Sequence, residues 1–579
     1  MYLSKNRFIL LWLCSAALVT LVRLLHATDL VSDLALQIQA AQNLLGGNGV
    51  SIYSLGGEDD LAQPNKLVTL TWFPSGYSFF AAALLAIGFS VPAVVKAGGV
   101  AGTILGWWGW ARLAYLFFRE GLECGRVWRW AGAVIAISTP LLFTPPWNGT
   151  DIFLWAAVPW VLWWVVRASD ENAQNGRWLD FLAGAVCGSC VLMRYASVFL
   201  AAYAGFLILS QSKLRLKVLA RRAGAFAAGL LPLFAVQIYL NYFVSNAEAK
   251  PGGIHLRPGA LTVVDHFWVG LSQLTSVNFA VVWWMPTRVR ELLIQPGARA
   301  PWLLGVTFAG FILLPTLLAM RLGHRSLTAA SRDVRTAAVG LFVLVPLFLL
   351  ACGIVGAIYV GVARYYIPLL PLAVFVAYAL GSGERNPGRK IQAFTQMISR
   401  GYLAGYLCMA ALGVAFLLVP DGPGGRGTSR RRALAGTYTL PPWPSTKVIY
   451  ESFASRNYVL ALLKDEPNTV LVTNVEYWFY ADPSVDWSRL HRLRSRVRGW
   501  RASYIRGPAR ILIIAVEPFE APIDVLFAWE SARWQRVDYF ERLPTLRLLK
   551  KFPAESVKVL ELRVPDGSRI ALNRQPGRE

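Results

Sequence analysis

The feature that most limits what this chain can fold into is a succession of apolar blocks, each close to the length that crosses a hydrocarbon core. They cover residues 8–25, 92–118, 130–146, 152–167, 178–193, 196–210, 223–245, 302–320, 336–359, 365–381 and 401–420. A spanning helix needs about 20 apolar residues, because its backbone polar groups must be satisfied within the segment and no water is at hand. Blocks somewhat shorter than that are accommodated by a locally thinned bilayer or a shared packed interior. Composition agrees with this pattern: of 579 residues, 55% are hydrophobic and 16% charged, where soluble domains carry about 25% charged residues. A soluble enzyme, a disordered chain and a fibrous chain are all excluded. The expected fold class is a polytopic α-helical membrane protein with about eleven transmembrane helices.

Orientation follows from the basic residues. Lys5 and Arg7 precede the first block, which ends in Arg23 and His26 without a small-residue cleavage site. It therefore reads as a retained anchor with a cytoplasmic N-terminus. With eleven spans, basic clusters such as Lys213, Arg215, Lys217, Arg221 and Arg222, or Arg321, Arg325, Arg332 and Arg335, fall on the cytoplasmic side. The first outer loop, 26–91, holds only Lys66 against Asp29, Asp33, Glu58, Asp59 and Asp60. The positive-inside rule favours this arrangement. It requires the extra block Phe73–Phe89, which opens with Pro74 and carries Ser75, Gly76 and Ser78, to be re-entrant or surface-lying rather than spanning.

Two domains result: a transmembrane domain, 1–420, with outer loops 26–91 and 246–301, and an extracytoplasmic domain, 421–579. In the second, the runs Thr469–Thr473, Ile511–Val516 and Val557–Val564 have strand character, and Lys447–Leu463 and Pro522–Arg533 have helix character, which suggests a small α/β unit. The linker Pro420–Arg432 is Gly-rich and then basic. The net charge of +24 signals topology and attraction to anionic headgroups, not nucleic acid, which an exported face does not meet. The dense arginines between Arg489 and Arg510 read as a solvated helix face or a headgroup contact. The six cysteines (Cys14, Cys124, Cys187, Cys190, Cys352 and Cys408) all fall in spans or cytoplasmic loops, so an outer disulfide is not expected.

The chemistry is sought among charged residues at the outer boundary. Asp29 and Asp33, four apart, share a face if their stretch is helical. Residues 33–45 place Leu34, Ile38, Ala41 and Leu45 on one face with glutamines opposite, and Gly46-Gly47 closes the run. That pattern suits an interfacial helix on the outer leaflet with Asp33 at its positive end. Asp151 follows the breaker Pro145-Pro146-Trp147-Asn148-Gly149-Thr150 on the same side; both Asp33 and Asp151 also suit plain helix starts. Arg194-Tyr195 and Arg364-Tyr365-Tyr366 open outer helix ends. Arginine there either snorkels or meets a phosphate with its planar fork. No His-x-His or His-Glu-x-x-His pattern occurs, so a dedicated metal site is not indicated.

In this order, the motifs resemble the GT-C superfamily of membrane glycosyltransferases, which includes the protein mannosyltransferases and aminoarabinose transferases. The resemblance rests on Ser32-Asp33 before the amphipathic stretch and on the turn Gly46-Gly47-Asn48-Gly49-Val50-Ser51-Ile52-Tyr53. Thr71-Trp72-Phe73-Pro74-Ser75-Gly76-Tyr77 follows, then Asp151 and the two Arg-Tyr helix starts. It covers about residues 1–420. Two departures stand out: Asp29 and Asp33 are not adjacent, and Pro74-Ser75 replaces a Pro-Pro pair. The resemblance implies inverting transfer of a sugar from a polyprenyl-phosphate donor to a lipid, polysaccharide or protein acceptor on the extracytoplasmic face of the cell membrane. Asp33 would be the general base, with Asp29 the competing choice. Asp29 or Asp151 would orient the acceptor or hold a divalent cation if one is used. Arg364 first and Arg194 second, with Tyr365, would meet the donor phosphate. A flippase or transporter of lipid-linked sugars and a non-catalytic envelope-assembly subunit are the alternatives.

Overall fold

A computed structural model describes residues 32–53, 60–71, 73–118, 149–169, 176–211, 215–244, 453–473, 478–480, 482–492, 504–516, 546–553 and 557–571, with isolated positions between 14 and 24. The expected spans 130–146, 302–320, 336–359, 365–381 and 401–420, the outer loop 246–301 and the linker lie outside these residues, as does nearly all of 8–25. The first outer loop contributes helix α1 (Ser32–Leu45), a short antiparallel pair β1 (Ser51–Tyr53) and β2 (Leu67–Thr69), and helix α2 (Gly76–Ala86). The helical bundle is built from α3 (Val91–Phe118), α4 (Asp151–Arg167), α5 (Gly176–Met193), α6 (Val198–Gln211) and α7 (Leu216–Tyr239). A π-turn, Leu240–Val244, prolongs α7.

Among the described residues, α5 and α7 with its π-turn are each long and apolar enough to cross a membrane. A third candidate arises if α2 and the adjoining part of α3 are counted as one bent unit, since the two turn on each other by 120°. The bend falls at Ile87–Ser90, where Gly88 takes a positive φ of 94°. Segment 73–89 thus doubles back on α3, the geometry of a re-entrant or broken helix.

The directions of α3 to α7 follow from their contacts. Gly98 of α3 faces Phe153 while Gly109 faces Pro159 and Trp160, so α3 and α4 run in the same direction. Their later turns carry a tryptophan belt: Trp108 meets Trp160 edge-on at 5.3 Å, and Arg112 lies over Trp108 and Trp163 at 5.3 and 5.4 Å. Such belts form where helix ends reach headgroup depth. At that same end Arg222 of α7 is buried. It pairs with Asp180 of α5 (2.9 and 3.0 Å) and donates to the Val165 carbonyl of α4 (2.8 Å) and the Gln211 amide oxygen of α6 (3.4 Å). One guanidinium therefore ties the ends of four helices. Removing one member of a buried pair strands the other charge at a cost of about 3–5 kcal/mol. Arg222→Met is accordingly expected to lower the thermal midpoint of the detergent-solubilised protein sharply, and Asp180→Asn added to it to recover most of the loss.

The C-terminal residues form helix α8 (Ala454–Asp465) and a five-stranded sheet of order β4-β3-β6-β8-β7. The strands are β3 (Val470–Thr473), β4 (Leu490–Arg492), β6 (Ala509–Val516), β7 (Leu546–Phe552) and β8 (Val557–Val564). β3 is parallel to β4 and β6, and β8 is antiparallel to β6 and β7. A separate ribbon pairs β5 (Tyr504–Arg506) with β9 (Arg569–Ala571). Alternation fills both sheet faces: Leu471, Leu512, Ile514, Val557 and Val559 on one, Val470, Val472, Ile511, Ile513 and Leu562 on the other. The described parts of the arginine-rich stretch are strand and short 3-10 turn, not a helix face. Leu490 and His491 are both buried, and pairing with β3 requires extended backbone there.

Two ionisable groups inside this unit respond to pH. Burial would raise the Glu561 carboxyl, but hydrogen bonds and charge from Arg510 and Arg563 outweigh it and hold the group below the usual carboxylate range. His491, 1% exposed, is pushed down to about 4 by burial and by Arg489. An unfolded histidine takes up its proton near pH 6.5, so between that pH and about 4 the unfolded chain binds more protons than the folded one. Stability is full above pH 6.5 and falls on acidification by up to about 3 kcal/mol. Urea unfolding followed by tryptophan fluorescence should show this loss from pH 7 to 4.5, and His491→Gln should flatten it.

Helix α1 departs from the sequence expectation of a helix lying on the leaflet with a wetted polar face. Leu34, Ala35, Leu36, Ile38, Ala40 and Ala41 are buried in one core with Phe453, Val459, Trp478, Phe479 and Tyr480 of the C-terminal unit. Gln37 and Gln39 are buried too, the latter at 0% exposure. The other side of α1 packs on α2, where the Ser78 hydroxyl donates to the Gln37 carbonyl (3.0 Å). The glutamine side of α1 is thus covered in the folded chain rather than wetted.

Candidate active site

The end of the bundle opposite the Arg222 tie carries the polar residues that the sequence singles out. α4 starts at Asp151, whose carboxylate stands at the positive end of the helix and is 3% exposed. α5 stops at Met193, and the Arg194 amide still donates to the Cys190 carbonyl (2.7 Å). The chain then turns through a 3-10 segment, Tyr195–Ser197, into α6. Antiparallel packing of α4 and α5 brings Arg194 onto Asp151, and the two form an ion pair with both side chains largely buried. The sequence expectation gave these residues separate tasks, one toward the acceptor and one toward the phosphate; the structure joins them.

Tyr195 anchors the neighbouring polar cluster. Its hydroxyl donates to the Thr71 carbonyl (3.0 Å) and accepts from Asn241 Nδ2 (3.0 Å) and Gln237 Nε2 (3.3 Å). Gln237 Nε2 also donates to Asn241 Oδ1 (2.8 Å), while its own oxygen accepts from the Ser75 amide (3.0 Å). The turn Pro74-Ser75-Gly76 is thereby seated on the end of α5. A Cβ at Gly76 would stand 2.7 Å from the backbone carbon and oxygen of Leu192, so only glycine allows this approach. Tyr77 follows, wedged between Phe80 (5.8 Å) and Phe153 (6.3 Å). Among the described residues, the Ser75 and Tyr77 hydroxyls are buried without a hydrogen-bond partner. Such groups cost about 1–3 kcal/mol when left unpaired.

Lys96, which the sequence reading did not select, lies in the first turns of α3, the end that α3 shares with Asp151. It is buried, and its ammonium donates to the Leu24 carbonyl near the end of the first apolar block (3.0 Å). The signal was present: a lysine in the opening turns of a block of spanning length whose one other charge, Arg112, lies toward its far end. A charge held there is costly and marks a functional position by default. Gln237 and Asn241 carry little signal in the sequence, because they sit one turn apart at the end of an apolar block.

Asp33 stands in the first turn of α1, on the helix that packs against α2. Asp29, Arg364 and Tyr365 lie outside the described residues. Among the described residues no cluster of three or more His, Cys, Asp or Glu could hold a metal ion. Cys187 and Cys190 are buried free thiols on α5, and no group of three or more potential metal ligands includes them among the described residues.

No family model and no curated protein matches this sequence. Among solved structures, the chain is similar to ArnT from Cupriavidus metallidurans in the apo state, at 13% identity and a TM-score of 0.48, with 96% of this chain and 98% of that one covered. It is also similar to the archaeal oligosaccharyltransferase AglB from Archaeoglobus fulgidus in complex with an inhibitory peptide and a dolichol-phosphate, at 12% identity and a TM-score of 0.42, covering 91% and 71%. A third similarity is to the arabinofuranosyltransferase AftD from Mycobacteria, at 13% identity and a TM-score of 0.41, covering 98% of this chain and 42% of that one. At these identities and scores the function has to be argued from the residues themselves.

Proposed function

We propose that this chain is a membrane glycosyltransferase of the GT-C kind. It moves a sugar from a polyprenyl phosphate to an acceptor hydroxyl at the non-cytosolic boundary of the cell membrane, with inversion at the anomeric carbon. The observation that carries the reading is the assembly at one end of the bundle: the buried Asp151–Arg194 pair, the buried Lys96, and the Thr71–Tyr77 turn locked onto Tyr195. Fixed cations beside a buried hydroxyl-lined turn at a water–lipid boundary suit a sugar phosphate better than a translocation path, which would place its charges near the bilayer midplane.

In this reading the Asp33 carboxylate takes the proton of the acceptor hydroxyl as the new bond to the anomeric carbon forms. The bond from that carbon to the phosphate oxygen breaks, and the electron pair leaves with the polyprenyl phosphate. Arg364 or Arg194 then meets the growing charge on the phosphate, with Tyr365 and Lys96 beside it. Asp151 keeps the Arg194 guanidinium oriented through the ion pair between its carboxylate and Nη1. No electron carrier or nucleotide enters the balance.

The test uses the purified full chain in liposomes with a radiolabelled polyprenyl-phosphate sugar and a panel of lipid, polysaccharide and peptide acceptors. Release of polyprenyl phosphate with label on an acceptor supports the reading. Movement of intact lipid across the bilayer without cleavage assigns a flippase instead. Labelling of cysteines introduced in the 48–66 loop, the 119–127 loop and the C-terminal unit tests the orientation; all but the 119–127 site should react from outside.

A further inference from the structure

The first outer loop is strapped to the C-terminal unit immediately before it enters the site. Asp60 bridges to Tyr504, and its carboxylate oxygen accepts from the backbone amides of Ala62 and Arg506 (both 3.1 Å). The Leu61 amide donates to the Tyr504 carbonyl (3.0 Å), and the Leu61 side chain is wholly buried against one face of the sheet, beside Val470, Val472 and Ile505. Asn65 completes the strap with two grips. Its amide donates to the Ser488 carbonyl (2.6 Å), and its Nδ2 donates to the Leu490 carbonyl (2.8 Å). The side chain is 4% exposed.

From there the backbone stays held all the way into the site. Leu67–Thr69 pairs with Ser51–Tyr53, the Leu70 amide donates to the Val50 carbonyl (2.9 Å), and the Thr71 carbonyl receives the Tyr195 hydroxyl. A free loop of this length would sample many conformations, at about 1–2 kcal/mol of ordering cost per residue. Reaction rates depend on placement at the ångström level.

We propose that Asn65 is a positioning residue through which the C-terminal unit sets the geometry of the active-site turn. This rests on the transferase reading for its kinetic consequence, though not for its structural one. Asn65 touches no reacting group. It fixes where segment 66–71 begins, and thereby where Thr71 meets Tyr195 and how Gly76 seats on α5. The C-terminal unit acts as a jig for the transmembrane site.

Asn65→Asp keeps the size of the side chain and replaces the Nδ2 donor with an oxygen facing the Leu490 carbonyl. Asn65→Ala removes the side-chain grip and leaves the backbone one. Gln63→Ala, at an exposed position of the same strap, is the control. Amide hydrogen exchange on the full chain in nanodiscs reads the geometry, and steady-state transfer reads its consequence. For both Asn65 variants the expected result is exchange at 67–71 accelerated at least about tenfold and kcat lowered about 10- to 100-fold, with the KM for the donor near wild type. The thermal midpoint should fall only slightly in Asn65→Ala and further in Asn65→Asp, whose carboxylate faces a carbonyl, and Gln63→Ala should behave as wild type.

Unchanged exchange at 67–71 overturns the proposal. So does accelerated exchange with wild-type kcat, or a change confined to KM. If Asn65→Asp fails to fold, Asn65→Ala decides by the same readings. If the wild-type chain transfers no sugar, the functional reading fails and exchange alone decides: acceleration reaching Thr71 supports the positioning role, and its absence overturns it.

Discussion

Asp33→Asn is expected to bring sugar transfer close to background, a loss of roughly 10²- to 10⁴-fold, while expression and membrane insertion stay at wild-type levels. The amide keeps the size and hydrogen-bonding reach of the carboxylate but cannot accept the proton of the acceptor hydroxyl. α1 should survive the change, because its stability comes from the apolar face buried against α2 and the C-terminal unit. A carboxylate at the helix start adds only about 0.3–1 kcal/mol through the helix dipole. The measurement is single-turnover release of polyprenyl phosphate in liposomes, run beside Asp29→Asn. Near-normal turnover in Asp33→Asn removes Asp33 from the role of base, and a selective loss in Asp29→Asn transfers that role to Asp29.

Arg194→Gln is the second large effect, and it should appear in two measurements at once. Without the guanidinium, the buried Asp151 carboxylate loses this ion pair, and breaking such pairs costs about 3–5 kcal/mol. The thermal midpoint should fall clearly. Asp151→Asn added to Arg194→Gln replaces the broken pair with two neutral amides and should restore most of that midpoint. Transfer should not return with it: removing a group that stabilises charge in the transition state typically costs about 10²- to 10³-fold. Recovery of both stability and turnover in the double variant would make the pair a purely architectural feature and leave Arg364 as the phosphate's only arginine.

The sequence showed most about the bundle where apolar blocks end in punctuation. Asp151 after Gly149-Thr150, and Arg194-Tyr195 between two blocks, mark helix ends that the structure places within a residue or two. The counting of alternating spans put Asp151 and Arg194 on one side. It could not show that they pair, because pairing depends on the rotation of α4 and α5 about their axes. The surroundings of α1 are illegible in the sequence for a related reason. Its glutamine face looks like a wetted surface in a linear pattern, whereas Gln37 and Gln39 are both buried in the folded chain. Gln237 and Asn241 escaped notice because a hydropathy average dilutes two amides in a long apolar block, yet their spacing of one turn aims both at Tyr195. In the C-terminal unit, β6 and β8 announce themselves by β-branched and leucine runs, whereas β4 and β5 are hidden among arginines that pattern reading assigns to a solvated helix.

The two polar knots, Arg222 with its four helix ends and Tyr195 with the residues around it, lie at opposite extremities of the same bundle. A helix fastened at both extremities has no freedom to ratchet: a slip of one turn, about 5.4 Å, would undo both knots together. α5 and α7 therefore behave as a stator. On the transferase reading, any widening that admits a lipid-linked donor has to come from elements outside this frame, and among the described residues the chain direction breaks at the elbow between α2 and α3, Ile87–Ser90.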